Sequence, residues 1–385
     1  MNTTIKKTLL AASAIILVAA SLSSCKKDKT TSDDTMKAIA EQYVNHTVAP
    51  TYTNLASKTE QLVLDLQALR ANPSQANLDK ACNTFLDARA WWEKSEAFLF
   101  GAAGDYGIDP HIDSWPLDVD AFNIMMSNSD QITAMDGDEG DVYAGNVLGN
   151  ALLGFHGIEY ILFENGAPKT YSAITDNQLI YAIAVAGDLR NRCYQLEVCW
   201  VGASKAPAAH VQKLDDVELP YTVSSAAISY GENMINAGQA GSLYSSLTNA
   251  MMEILDGCSA IADEVGTSKI GKPYSGDDPD YIESPYSQKS IIDFYNNIIS
   301  IQNAYFGGIE GQRDDSKSLH AYLADLDSDL DKKVTVAIDN ALSKINAMPA
   351  PFVNNRTAAA NGQAVRACQA LDEVLSEAKA KIAEL

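Results

Sequence analysis

The chain has 385 residues and a formal net charge of -22. That length excludes a single small core and makes two domains the default expectation. So acidic a surface repels nucleic acid and favours solubility or cations, and the acid is spread along the chain rather than gathered in one tail.

The first residues read as an export signal. Lys6 and Lys7 precede an apolar run from Leu9 to Ala20. The run has the length of a signal peptide and is short for a membrane span. Leu22-Ser23-Ser24-Cys25 follows. A small-residue site ending in cysteine is the lipobox pattern, in which the thiol takes a diacylglycerol and the chain is cut before it. Residues 1–24 are therefore read as a lipoprotein signal peptide, Cys25 as the lipid anchor and residues 25–35 as a flexible polar tether. The expected location is the bacterial cell envelope, lipid-anchored, periplasmic or surface-exposed, with the outer membrane preferred.

The rest of the chain is expected to be all-α. Apolar residues at helical spacing, including Leu55, Leu62, Leu66 and Leu69, predict a helix from Met36 to about Arg70. Pro50 predicts a kink or a new start within it. After the Asn72-Pro73-Ser74 turn, Leu78, Cys82, Phe85, Trp92 and Leu99 line a second helix that should end near Gly101. Residues 101–145 are rich in Gly, Asp and Pro, and Asp109 to Asp118 reads as an ordered loop. Asp136 to Asp141 is acidic but lacks the EF-hand spacing, so it reads as a solvated turn. A third, nearly apolar helix is expected from Asn146 to Phe163 and a fourth from Asp176 to Gly202.

Residues 203–223, with Pro207 and Pro220, read as a connection. The second half predicts helices near 224–238, 242–264, 288–306, 316–346 (with a break) and 356–383. A Gly/Pro/Asp/Tyr-rich insert, Gly266 to Ser287, precedes a helix as in the first half. Phe98-Leu99-Phe100-Gly101 and Ala304-Tyr305-Phe306-Gly307-Gly308 end helices in a similar way. The resulting expectation is two related helical bundles, 36–205 and 206–385, packed together with a pocket at their interface. Beyond Cys25, five cysteines remain, an odd number without a CxxC. They read mostly as small core residues, with one disulfide left open.

The chemistry concentrates in Gly154-Phe155-His156-Gly157-Ile158-Glu159-Tyr160. His156 and Glu159 are three apart and share a helix face. Such groups on a buried helix need a partner, a hydrogen bond or a metal. A polar pair that locks helix packing satisfies the same spacing. Glu93 and Glu96 form a second i,i+3 pair, on the helix that carries Trp92. Facing helices can bring Glu and His together at a metal, as in di-iron carboxylate bundles, although those use Glu-x-x-His and this order is reversed. An imidazole with carboxylates suits iron, zinc or manganese.

Taken in order, these segments resemble the imelysin family. Gly154-x-His156-x-x-Glu159 matches its GxHxxE motif, and Trp92 to Gly101 with Ser95-Glu96-Ala97-Phe98 looks like its W…(S/T)EAF.FG segment. Ser114-Trp115-Pro116-Leu117 resembles its WP loop. Glu283 to Phe294 resembles its ESxxSxxSxxDF segment, and Asn303 to Gly308 and Ser318-Leu319 resemble its NxYxG and SL positions. The resemblance implies two helical bundles with a pocket between them, fed by GxHxxE from the first and the Ser/Asp segment from the second. It implies a lipoprotein tied to iron uptake that binds a divalent metal, iron or an iron-bearing small ligand. His156, Glu159 and Glu96 would be metal ligands. Glu93, Trp115, Glu283, Ser287, Ser290 and Asp293 would line the pocket. The membrane, through the anchor, and iron-uptake components would be partners. The alternative is a metal-dependent endopeptidase, since the family is named for one. The chain lacks HExxH and GxSxG, and a catalytic zinc needs a third protein ligand besides His156 and Glu159.

Overall fold

A computed structural model describes residues 32–223 and 227–384. The signal peptide and Cys25 lie outside the described residues. So does the tether up to residue 31, and helix α1 is already formed at 32–43. The other long helices are α2 (Ala49–Ala71), α3 (Gln75–Glu93), α4 (Gly154–Leu162) and α5 (Asp176–Val201). The second half contributes α6 (Leu247–Glu264), α7 (Ser290–Tyr305), α8 (Ser328–Asn346) and α9 (Ala359–Ala383). Among the described residues, the strand content is one small antiparallel hairpin, Phe163–Glu164 against Ala167–Pro168. The fold is all-α.

Helix α2 packs against α3 and α5, while α9 packs against α6 and α8, and α7 against α6 and α8. Contacts between α3 and α7 join the two sets. One apolar core runs through both, from Met36 to Ile382. The five described cysteines are buried free thiols.

Several elements differ from expectation for physical reasons. At Pro50 the expected new start is present, but with a device the sequence did not show. A wide π-type turn at Val44–Val48 precedes it, and Pro50 sits in the first turn of α2. Proline has no N–H to give to the carbonyl four residues back. That carbonyl, on His46, accepts from Ile309 N at 2.8 Å instead, which stitches the two halves together. Helix α3 stops at Glu93 rather than near Gly101. The Trp92 carbonyl is taken by Ser95 N at 2.7 Å and Ser95 Oγ at 2.6 Å, which turns the chain into the short 3-10 helix Glu96–Phe98. The stretch 101–145 is folded into short helices, Ala102–Asp105, Ile108–Ile112, Val119–Met126 and Ser129–Met135, with Gly140–Val147 overlapping its end. The expected third helix is split there, and α4 begins only at Gly154. The connection 203–223 carries the helix Ala208–Asp216.

Asp141, from the acidic turn, anchors that region. It receives Lys213 Nζ at 2.7 Å, Arg190 Nη2 at 2.9 Å and Asn191 Nδ2 at 3.0 Å. Burial alone would raise its pKa, but Lys213, Asn191 and Arg190 outweigh burial and hold it below the usual aspartate range. A depressed carboxyl stabilises the fold above its unfolded pKa, about 3.9, and loses that contribution as pH falls through the folded value. Asp141→Asn is expected to cost about 1–2 kcal/mol at pH 7, with the difference from wild type shrinking as pH falls below about 4 and vanishing only below the depressed folded value. Urea unfolding at several pH values checks this, and a deficit that persists in acid would refute it.

Candidate functional site

Helix α4 is placed by its first residue. Gly154 has φ +66°, and a Cβ there would lie 1.8 Å from the carbonyl oxygen of Ile112. Only glycine permits that approach, and it sets the start of α4 against the end of the helix Ile108–Ile112. Asp113, the next residue, thereby meets His156. Its Oδ1 is 3.1 Å from His156 Nε2, an ion-pair distance without hydrogen-bond alignment. On the other side of the ring, His156 Nδ1 lies 3.4 Å from Glu159 Oε2. The second oxygen of Glu159 accepts from Ser287 N at 2.7 Å. The motif helix thus holds the second-half segment directly. Burial lowers the His156 pKa, but Asp113 and Glu159 outweigh it and raise it to about 9.

Arg89 is the centre of the cluster. Its Nη2 lies 2.5 Å from Glu93 Oε1 and 2.7 Å from Glu283 Oε1, and Nη1 bonds Asp113. Trp92 Nε1 donates to the other Asp113 oxygen at 2.7 Å. Despite burial, Arg89 and His156 hold the Asp113 carboxyl far below the usual range. Lys269 ends a second π-type turn, Val265–Lys269, and reaches Glu283 at 3.2 Å, Glu93 at 3.9 Å and Glu96 at 4.0 Å. Asn297 Nδ2 donates to Glu93 at 2.5 Å, and Ser290 Oγ donates to the Glu283 carbonyl at 2.5 Å.

Burial pushes the Glu93 and Glu96 carboxyls well above their ordinary value. Asp293 is pushed up to about 7 by burial and by Glu283 and Glu159, against the opposing pull of Arg89 and the Ser284 hydroxyl. Trp115 is half-buried, packs on Tyr281 with ring centres 3.9 Å apart and lies 6.3 Å from the His156 ring.

Every sequence-named residue except the anchor is therefore placed at or beside one buried cluster drawn from both halves. Among the described residues, the side chains close enough to share an ion as a set of three fall into two groups, Glu93–Asp113–Glu283 and Glu96–Asp109–Asp113, and neither includes His156 or Glu159. Glu96 faces Lys269 rather than His156. Sequence reasoning did not name Arg89, Asp113, Lys269 or Asn297. Arg89 did leave a signal, because it falls on the apolar stripe of Leu78, Cys82, Phe85 and Trp92. A charge there has to be buried with partners.

Two properties define what the cluster can do. Six buried carboxylates, Glu93, Glu96, Asp113, Glu159, Glu283 and Asp293, face three basic groups, Arg89, Lys269 and His156, and none of the nine is more than 9 % exposed. The excess negative charge must be balanced by protons or by a cation. Unpaired polar atoms also gather here. Among the described residues, eleven buried side-chain nitrogens and oxygens have no hydrogen-bond partner. Seven belong to this cluster, but Glu93 Oε1 and His156 Nε2 are held in ion pairs with Arg89 and Asp113, which leaves five: Arg89 Nε, Glu283 Oε2, Ser287 Oγ, Asp293 Oδ2 and Asn297 Oδ1. Such atoms are rare because each costs about 1–3 kcal/mol, so their concentration marks a place for a polar occupant.

Comparison with known proteins agrees with the motif reading. The chain is 29% identical over 273 residues to Iron-regulated protein A of Synechococcus elongatus, an alignment covering 71% of this chain and 64% of that relative, under two thirds of its length. The crystal structure of an iron-regulated protein A precursor from Parabacteroides distasonis superposes with a TM-score of 0.76 at 30% identity, covering 91% of this chain and 95% of that one. An imelysin-like protein from Psychrobacter arcticum shares the fold, with a TM-score of 0.58 at 16% identity over 91% of this chain and 93% of its own. The sequence pattern of the imelysin family matches residues 48–378, most of the chain, and the chain belongs to that family.

Proposed function

We propose that this protein is an envelope lipoprotein with an iron-related role, which binds a metal ion or an iron-bearing small ligand at the buried cluster around His156 and Glu159. The observation that carries the reading is the five unpaired buried polar atoms set among excess carboxylate. The donor chemistry fits a cation, since one imidazole and several carboxylate oxygens suit iron, zinc or manganese. His156 and Glu159 would hold it, with Asp113, Glu283, Asp293 and the Ser287 hydroxyl around them. The cation would supply the positive charge that the carboxylates lack. Arg89 and Lys269 hold those carboxylates apart and neutralise part of their charge beforehand. The names of the two iron-regulated relatives support the same role. Export through residues 1–24 and lipid attachment at Cys25 would place the protein at the envelope, beside iron-uptake components.

The endopeptidase reading has less support. Hydrolysis requires a polypeptide to reach the metal, and the groups of this cluster are almost wholly covered. The test is metal content and then titration with iron and zinc of the protein beginning at residue 26, beside a His156→Ala, Glu159→Ala variant. Stoichiometric binding that weakens by about 100-fold or more in the variant is the expected result. An absence of binding in the wild type, or equal affinity in the variant, would mean that the pair serves packing alone.

A further inference from the structure

Helix α7 has two working faces. At about 100° per residue, Asp293, Asn297 and Ser300 share one face, and Tyr295, Ile299 and Gln302 share the opposite one. The first face closes the buried cluster. The second floors a separate groove of about 590 Å³, walled by Trp91 and Lys94 from the end of α3 and by Ile309, Glu310 and Arg313 from the loop after α7. That volume lies in the range of small-molecule sites, about 300–1,000 Å³.

The groove is basic within a chain whose net charge is -22. Lys94 lies 4.7 Å over the Trp91 ring and, among the described residues, has no carboxylate within ion-pair distance. Arg313 is fixed in place. Its Nε donates to Gly308 O at 3.2 Å, and Nη2 donates to Gln302 Oε1 at 2.9 Å and Asn303 Oδ1 at 3.1 Å. Its guanidinium lies 5.6 Å from the Phe306 ring centre, and Nη1 has no partner among the described residues. Glu310 is the one carboxylate lining the groove, and it is exposed. A cationic ligand is disfavoured, because Lys94 and Arg313 already cover the Trp91 and Phe306 ring faces.

We propose that this groove binds a small organic anion bearing an aromatic ring, its acid group paired with Lys94 and Arg313 and its ring packed on Tyr295 and Ile299. A preorganised guanidinium and an unpaired ammonium recognise a carboxylate, phosphate or sulfonate alike. The site is separate from the His156 cluster and does not depend on metal binding there.

The test is titration of the protein with 8-anilinonaphthalene-1-sulfonate, an aromatic sulfonate that fluoresces on binding. The expected result is one saturable site whose affinity falls at least about tenfold in a Lys94→Gln, Arg313→Gln variant. A Lys333→Gln control, which removes an exposed lysine elsewhere, should leave it unchanged. Both substituted groups are half-buried or exposed, so the variant should stay folded, its unfolding midpoint lowered only slightly by the loss of the Arg313 hydrogen bonds. Displacement by benzoate but not phenyl phosphate, or the reverse, assigns the acid group, and inorganic phosphate alone should compete poorly. The proposal is overturned if the probe shows no saturable site or if the double variant binds it equally well. It is also overturned if neutral N-phenyl-1-naphthylamine binds the wild type as tightly.

Discussion

Arg89→Met is expected to destabilise the protein by about 3–5 kcal/mol, the largest loss of any single substitution in the cluster. The methionine fills similar space but leaves Glu93, Asp113 and Glu283 buried without the cation that touches all three. Arg89→Lys should recover only part of the loss, because one ammonium cannot reproduce the planar fork that joins carboxylates from three segments. The comparison is Arg70→Ala. Arg70 pairs with Asp136 and Asp176, but its side chain is 29% exposed, so its loss should cost about 1 kcal/mol or less. Urea unfolding midpoints at pH 7 decide the matter. Equal midpoints for Arg89→Met and Arg70→Ala would mean that the cluster contributes nothing to holding the halves together.

Gly154→Ala should cost about 2–4 kcal/mol and weaken metal binding with it. An alanine at φ +66° is strained, and its Cβ would sit 1.8 Å from Ile112 O and 2.2 Å from Ile112 C. Those are backbone atoms, so relief requires α4 and the helix Ile108–Ile112 to separate. That movement pulls His156 from Asp113. Gly149 provides the contrast five residues away, with φ -74° and open space where a Cβ would go. Gly149→Ala is expected to be neutral or to stabilise by up to about 1 kcal/mol through the unfolded state. Thermal melts of the two variants give the answer, and matching melts would show that the close approach at Gly154 is unimportant.

The two substitutions also mark what the sequence could disclose. His156 and Glu159 were legible because three-residue spacing on an apolar helix is local information. The long helices were legible from their apolar period, which α3 and α5 sustain over 19 and 26 residues. The split of the expected third helix was not, because the carbonyl of Ile112 imposes the backbone of Gly154 and no local propensity encodes that contact. The helices between Ala102 and Met135 have four to eight residues each, too few turns to display a period. Asp113 was read as part of an ordered loop, but its role depends on Arg89 and Trp92 arriving from α3. Glu96 sits one helical turn past Trp92 in the sequence, and the Ser95 turn directs it toward Lys269.

The π-type turn Val265–Lys269 has a consequence for how this site can vary. Such a turn takes up one residue more than the α-helical turn it replaces. Each residue advances a helix by about 100°, so losing the extra one would bring Ile270 to the place of Lys269. An apolar side chain would then face Glu93, Glu96 and Glu283, so Glu96 would lose its built-in counter-ion and Arg89 alone would balance the other two. Loss of a single residue there, as well as substitution of Lys269, is therefore a step by which a relative can exchange an internal ammonium for room for a foreign cation. The charge balance of the cluster is written in chain length as well as in residue type.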